Sequence, residues 1–343
     1  MSGGLYRPEF ERDNCGFGLM AQMDGKPSHW LLKTSIDALA RLTHRGAVAA
    51  DGKTGDGCGL LLKKPDSFLK AAASNLNIEL SELYAVGMIF LNTDEKLAAT
   101  ARMLLESELS KEGLTIAGWR VVPVNKSACG EEALKSLPQI EQLFVNAAKD
   151  MDKTAFERHL YIARRRTEKA LETNDTTFYV PSLSSSVISY KGLVMPEHLP
   201  DFYEDLNDEN FETALAVFHQ RFSTNTWPQW RLAQPFRYLA HNGEINTVQG
   251  NRNWSVARGH KFECPDIPME DVRPLVSMSG SDSNSMDNML EALLAGGVNI
   301  FRAMRLLVPP AWQNVADMDA DLRAFYEYNS MHMESWMVLP VSF

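Results

Sequence analysis

Near its start the chain reads Asn14-Cys15-Gly16-Phe17-Gly18, a thiol set between a short polar leader and an apolar, strand-like run. If the peptide bond before Cys15 is cut, one Cα carries both a thiol and a free α-amino group. That amine titrates near pH 8, so it can act as general base for its own side chain with no histidine partner. An isolated Cys-Gly is more often a buried thiol beside flexible glycines. Here several distant segments supply the other parts that such a nucleophile needs.

At 343 residues the chain exceeds one average domain, although a single large α/β domain remains compatible with that length. Apolar content of 45% and charged content of 23% suit a globular protein with a sizeable core. A net charge of −10 and a pI of about 5.4 argue against nucleic acid as a partner. The run Arg164-Arg165-Arg166 reads as a solvated helix face. No stretch approaches the roughly 18 apolar residues of a membrane span. The first fourteen residues, with Arg7, Glu9, Glu11, Arg12 and Asp13, do not read as a secretory signal. Cys15, Cys58, Cys129 and Cys264 lie far apart without a CxxC pair, against a zinc site or an iron–sulfur cluster in this chain. Free cysteines fit a cytoplasmic setting.

Periodicity predicts strands over 16–23, 60–62, 86–91, 116–124, 178–183, 187–190 and 214–218. It predicts helices from Ser28, which can cap a stripe of Leu32, Ile36 and Leu39, and over 97–109, 156–171, 286–294, 300–307 and 321–328. Residues 46–59, rich in Gly and Asp, read as a loop. Strands and helices alternate without strict βαβ regularity, which suggests a layered fold with mainly antiparallel sheets.

Attack of a thiolate on an amide needs grips on the substrate's carboxylate and amino groups, donors for the oxyanion, and loops that approach closely. Thr43-His44-Arg45-Gly46 offers an arginine for bidentate carboxylate binding beside a glycine turn. His219-Gln220-Arg221-Phe222-Ser223-Thr224-Asn225-Thr226 offers a second arginine where a strand leaves the core. His241-Asn242-Gly243-Glu244-Ile245-Asn246 presents a side-chain amide and a glycine N–H, a pair able to hold an oxyanion. Ser279-Gly280-Ser281-Asp282-Ser283 offers a carboxylate for an ammonium. Singly these have plainer readings: surface ion pairs for the arginines, a hairpin turn for Asn242-Gly243, and a helix N-cap for Asp282.

Together, Cys-Gly-Phe-Gly, Leu-Thr-His-Arg-Gly-Ala, Asp-Gly-Lys-Thr-Gly-Asp-Gly-Cys-Gly, His-Gln-Arg-Phe-Ser-Thr-Asn-Thr, Ala-His-Asn-Gly-Glu-Ile-Asn-Thr and Gly-Ser-Asp-Ser resemble the class II glutamine amidotransferases. In this order, and with Val308-Pro309-Pro310-Ala311-Trp312-Gln313-Asn314, they are similar to the glutaminase domain that opens the large subunit of bacterial glutamate synthases. The resemblance covers about residues 11 to 336. It implies an α+β fold, the four-layer αββα sandwich of N-terminal nucleophile hydrolases. Residues 1–14 would be a leader and residues 15–336 the amidotransferase domain. By the resemblance Cys15 is the nucleophile, Asn242 and Gly243 form the oxyanion hole, and Arg45, Arg221 and Asp282 bind substrate. L-Glutamine would be cut to glutamate and ammonia through a γ-glutamyl thioester. In the full-length family enzyme the ammonia would go to 2-oxoglutarate at a second site with FMN, a 3Fe-4S cluster and electrons from an NADPH-oxidising small subunit. This chain itself is expected to carry no metal or cofactor.

Other readings fare worse. Gly52-Lys53-Thr54 suggests a phosphate-binding loop, but Gly46 lies one residue too far upstream for that spacing. A non-catalytic scaffold or an inactive truncated fragment is the alternative, and intact Cys15, Asn242 and Asp282 weigh against deliberate loss of chemistry. Other class II enzymes are disfavoured by the long insertion between Leu60 and Ala214. At the carboxyl end, similar proteins follow Met333-Glu334 with Pro-Trp-Asp-Gly-Pro-Ala-Gly. Losing one base from codons for Asp-Gly-Pro-Ala-Gly yields Met-Val-Leu-Pro-Val, as found at 337–341. Residues 337–343 are therefore expected to be a frameshifted tail, with the last strands of the sandwich missing.

Overall fold

The structure is a computed structural model and describes residues 16–221, 226–336 and the backbone of 338–339. Cys15 and the leader 1–14 lie outside the described residues, as does most of 337–343. Ten strands fall in the described chain: β1 (Phe17–Ala21), β2 (Thr54–Lys63), β3 (Tyr84–Leu91), β4 (Thr115–Val121), β5 (Gln139–Asn146), β6 (Tyr179–Ser184), β7 (Val187–Val194), β8 (Leu215–Gln220), β9 (Glu244–Ile245) and β10 (Val338–Leu339). They make two four-stranded antiparallel sheets, ordered β1-β8-β2-β7 and β4-β5-β3-β6, and a small β9-β10 pair. With the helices this is the expected α+β sandwich.

Sheet faces decide the layering. Val86, Met88 and Phe90 of β3 enter a core shared with Leu60 and Leu62 of β2, Ile188 and Tyr190 of β7, and Leu32, Ile36 and Leu39 of the His29–Ala40 helix. Ala85, Ile89 and Leu91, on the other face, pack on Leu105 and Leu109 of the Glu95–Lys111 helix and Phe156 and Leu160 of the Lys153–Leu171 helix. This is the period-two alternation of a sheet buried on both sides. A third core gathers Phe236, Leu239, Ile245, Met286, Leu290, Leu307 and Trp336 beneath the Asp282–Ala295 and Ile300–Leu307 helices. Ser28 caps the first helix as expected, accepting from the Leu31 N–H at 3.2 Å.

Two expectations need correction, and one of the plainer readings falls. β2 begins at Thr54, not Leu60. Its glycines are required by close packing: a Cβ on Gly55 would lie 2.7 Å from the Val194 carbonyl oxygen, and one on Gly59 2.9 Å from that of Tyr190. The arginine run is not a solvated face. Arg164 is fully buried between Glu168 and Glu291, each at 2.5 Å, and Arg166 pairs with Glu112 and Asp271. Carboxylates on neighbouring elements turn that helix face inward. Finally, Ser281 and not Asp282 caps the Asp282–Ala295 helix, its Oγ accepting from the Asn284 N–H at 3.0 Å. β5 and the helices Asp66–Asn75 and Val248–Ala257 also form where no element was expected.

Of the segment 337–343, the described residues Val338 and Leu339 pair antiparallel with Ile245 and Glu244. No described helix is long and apolar enough to cross a membrane.

Candidate active site

Neighbouring strand ends assemble the site. The register of β1 on β8 sets Phe17 opposite His219, and the Gln220 N–H donates to the Gly16 carbonyl at 2.7 Å. On the far side of β8, Cys58 pairs with Gln220 and the Arg221 N–H donates to the Gly57 carbonyl at 2.7 Å. Gly16, Arg221 and Gly57 therefore lie side by side where β1 begins and β8 ends. Arg221 holds φ at +121°, a conformation that non-glycine residues rarely adopt and that the surroundings must impose. Its carbonyl lies 3.1 Å from His219 Nδ1.

Arg45 closes the short Thr43–Arg45 turn after the first helix. Gly46 lets this turn lie against these strand ends, since a Cβ there would run into the Gln220 amide and come within 2.8 Å of Asp56 Oδ1. Asn242 packs against Gly16: a Cβ there would be 3.1 Å from Asn242 Oδ1. The amide thus sits beside the residue that directly follows Cys15. Gly243 comes next, leading into β9.

The Asp282 carboxylate is buried and ties the site's outer wall together. Oδ2 accepts from the Ile245 N–H at 2.9 Å, and Oδ1 from the Ser283 N–H at 2.6 Å and the Ser283 hydroxyl at 3.2 Å. Ser283 Oγ also lies 2.9 Å from His241 Nδ1. With the hydroxyl proton given to Asp282, Nδ1–H of His241 is the donor in that contact and Nε2 keeps its lone pair. Burial lowers the His241 pKa, opposed by the Asp282 charge. Burial also holds His219 down to about 4, so its imidazole is neutral at physiological pH.

Polar atoms that are buried without a hydrogen-bond partner concentrate here: Arg45 Nε, both oxygens of Asp56, Gln220 Oε1, Arg221 Nε and His241 Nε2. Such groups are expensive to leave unsatisfied in a core and mark a place built to receive something. Asp56 is the clearest case. Burial raises its pKa, and its nearest ion-pair partner, Arg221 Nε, stands 3.7 Å from Oδ2. Two of the described thiols, Cys58 and Cys129, are poor nucleophiles. Cys58 is fully buried and donates to the Val194 carbonyl at 3.2 Å, and burial drives its pKa up; Cys129 is pushed up to about 11. Among the described residues no cluster of His, Cys, Asp or Glu could hold a metal ion.

The structure thus gathers Arg221, Asn242, Gly243 and Asp282 around the point where β1 begins, with Arg45 on the adjoining turn. Cys15 itself and Phe222–Asn225 of the second arginine segment lie outside the described residues. Sequence reasoning left Asp56, His219, Gln234, His241 and Ser283 unassigned. Asp56 had a signal, a carboxylate between two glycines; Gln234 had none, its partner lying seven residues on.

The sequence model of the family described as glutamine amidotransferases class-II matches residues 15–338. The large chain of glutamate synthase (NADPH) from Bacillus subtilis (strain 168) is 43% identical over 336 residues, 97% of this chain and 22% of that protein. The corresponding large chain from Azospirillum brasilense is 43% identical over 342 residues, 98% of this chain and 22% of that protein. Ferredoxin-dependent glutamate synthase 1 of Arabidopsis thaliana is 39% identical over 335 residues, covering 95% and 21%. The chain spans about a fifth of the length of these curated relatives.

Proposed function

Because the chain belongs to the class II glutamine amidotransferases, we propose that it is the glutaminase part of a glutamate synthase and that Cys15, freed at its amino group, cleaves L-glutamine. The thiol proton passes to the α-amino group and Sγ attacks the side-chain amide carbon. Asn242 Nδ2 and the Gly243 N–H hold the oxyanion of the tetrahedral intermediate. The C–N bond breaks, ammonia leaves with the proton, and a γ-glutamyl thioester remains; water then releases glutamate and the thiol. Arg45 and Arg221 hold the α-carboxylate and Asp282 the α-ammonium.

One observation carries this reading. The Asn242 side chain stands beside Gly16, near the point where Arg221 follows β8, and this proximity supports an oxyanion donor and a carboxylate clamp close to the start of β1. The ammonia would serve amination of 2-oxoglutarate in a cytoplasmic, NADPH-type enzyme with a second, electron-donating subunit. FMN and a 3Fe-4S cluster would belong to other parts of that assembly.

Intact mass and glutaminase kinetics test it together. The active species should begin at Cys15, Cys15→Ser should abolish turnover, and Asn242→Ala should lower kcat about 100-fold or more. Asp282→Asn should raise KM more than it lowers kcat. Full activity with Met1 still attached would refute the mechanism.

A further inference from the structure

We propose that Gln234 is a positioning residue that aims the Asn242–Gly243 donors, an inference that rests on the oxyanion-hole reading above. Gln234 is 1% exposed, and its side-chain amide grips one backbone residue from both sides. Nε2 donates to the His241 carbonyl at 2.9 Å, and the His241 N–H donates to Oε1 at 2.9 Å. A glutamine here imitates the hydrogen-bonded pairing of a neighbouring strand. It fixes the peptides on both sides of His241 and so sets the direction from which Asn242 and Gly243 enter the site. His219 Nε2, 3.0 Å from the same carbonyl, ties this point to β8.

The base from which Gln234 reaches is itself clamped. The Lys191 Nζ, fully buried on β7, donates to the carbonyls of Arg231 at 3.0 Å and Ala233 at 2.7 Å, just ahead of Gln234. Downstream, the Asp287 carboxylate accepts from the N–H groups of Tyr238 at 2.8 Å and Leu239 at 3.2 Å. Segment 231–241 is therefore anchored to β7 at one end and to the Asp282–Ala295 helix at the other, with Gln234 bridging across the loop. Oxyanion donors act by being in place before charge develops, and a misplacement of about 1 Å can lose about 100-fold in rate.

The test uses the full chain with Gln234→Met, which keeps the volume and removes both bonds, and Gln234→Glu, which keeps only the acceptor. Gln234→Met should lower kcat for glutamine hydrolysis about 10- to 100-fold with KM within about threefold, and Gln234→Glu should fall between. In an Asn242→Ala background the further loss from Gln234→Met should shrink to a fewfold, whereas a merely structural defect would multiply. If Asn242→Ala leaves kcat intact, the oxyanion reading fails. If Asn242→Ala lowers kcat and Gln234→Met does not, the positioning role fails. Hydrogen exchange on the unsubstituted protein gives a readout independent of variant folding: a His241 amide exchanging as fast as an open loop overturns the proposal, and strong protection supports it.

Discussion

Asp205→Ala should be among the most damaging single changes outside the site. The Asp205 carboxylate takes both arms of the Arg120 guanidinium, at 2.8 and 2.6 Å, and accepts from the Tyr190 hydroxyl at 2.9 Å. Gln142 closes the ring, accepting from Arg120 at 2.8 Å and donating to Tyr190 Oη at 3.0 Å. Arg120 and Gln142 belong to one sheet and Tyr190 to the other, so this buried network bolts the two sheets together. Removing the carboxylate leaves a guanidinium only 13% exposed without a counter-charge, and strands the Tyr190 hydroxyl proton. Breaking a buried pair in this way typically costs about 3–5 kcal/mol, a large part of the about 5–15 kcal/mol that holds a domain folded. Taking out both charges is different. Arg120→Met with Asp205→Ala removes the uncompensated cation, and the double variant should recover at least about 1–2 kcal/mol relative to Asp205→Ala. Urea unfolding followed by circular dichroism measures all three, with glutamine KM on the folded fraction expected to stay unchanged. An Asp205→Ala loss below about 1 kcal/mol, or a double variant no better than Asp205→Ala, would refute the reasoning.

Two further outcomes follow from burial. Gly59→Ala should cost about 1–3 kcal/mol in the same urea assay, because a Cβ there meets the Lys191 side chain and stands 2.9 Å from the carbonyl oxygens of Tyr190 and Gln234; an unchanged midpoint would mean that β2 shifts freely. The pH profile should hide two opposed groups. His219, lowered from 6.5 to about 4, contributes stability that is present above pH 6.5 and lost as pH falls toward 4; Asp287, raised by burial from 3.8 to about 6, contributes stability present below 3.8 and lost as pH rises through 6. Each is worth at most ~3 kcal/mol, so Asp287→Asn should unmask stability that climbs between pH 4 and 6.5, and a flat profile in that variant would sink the His219 assignment.

How much of this could be read in advance depended on whether the signal was local. The Ile300–Leu307 helix falls on its predicted bounds because its apolar residues keep helical spacing, and Ser28 caps the first helix because capping is decided within one turn. β2 was hidden for the opposite reason. Gly55 and Gly59 look like loop residues until Val194, Tyr190 and Gln234 press against them, and those contacts cross more than a hundred residues of chain. The Arg164–Arg166 run was misjudged on the same ground, since its carboxylate partners Glu112, Asp271 and Glu291 come from elements that periodicity cannot bring near.

The site divides along the same line. The residues proposed to carry the chemistry stood out because their types are unusual in combination: an arginine before a glycine, an Asn-Gly pair, a carboxylate in a serine loop. Residues that aim them did not, because a buried glutamine such as Gln234 or a buried lysine such as Lys191 announces nothing by its neighbours in sequence. Yet the unsatisfied atoms of Asp56, Gln220 and Arg221 can persist only if the surrounding frame is stiff enough to hold them apart, since collapse onto one another would relieve them. The legible residues therefore depend on the illegible ones. A substitution at Gln234 or Lys191 should register in turnover even though neither side chain is placed to touch glutamine.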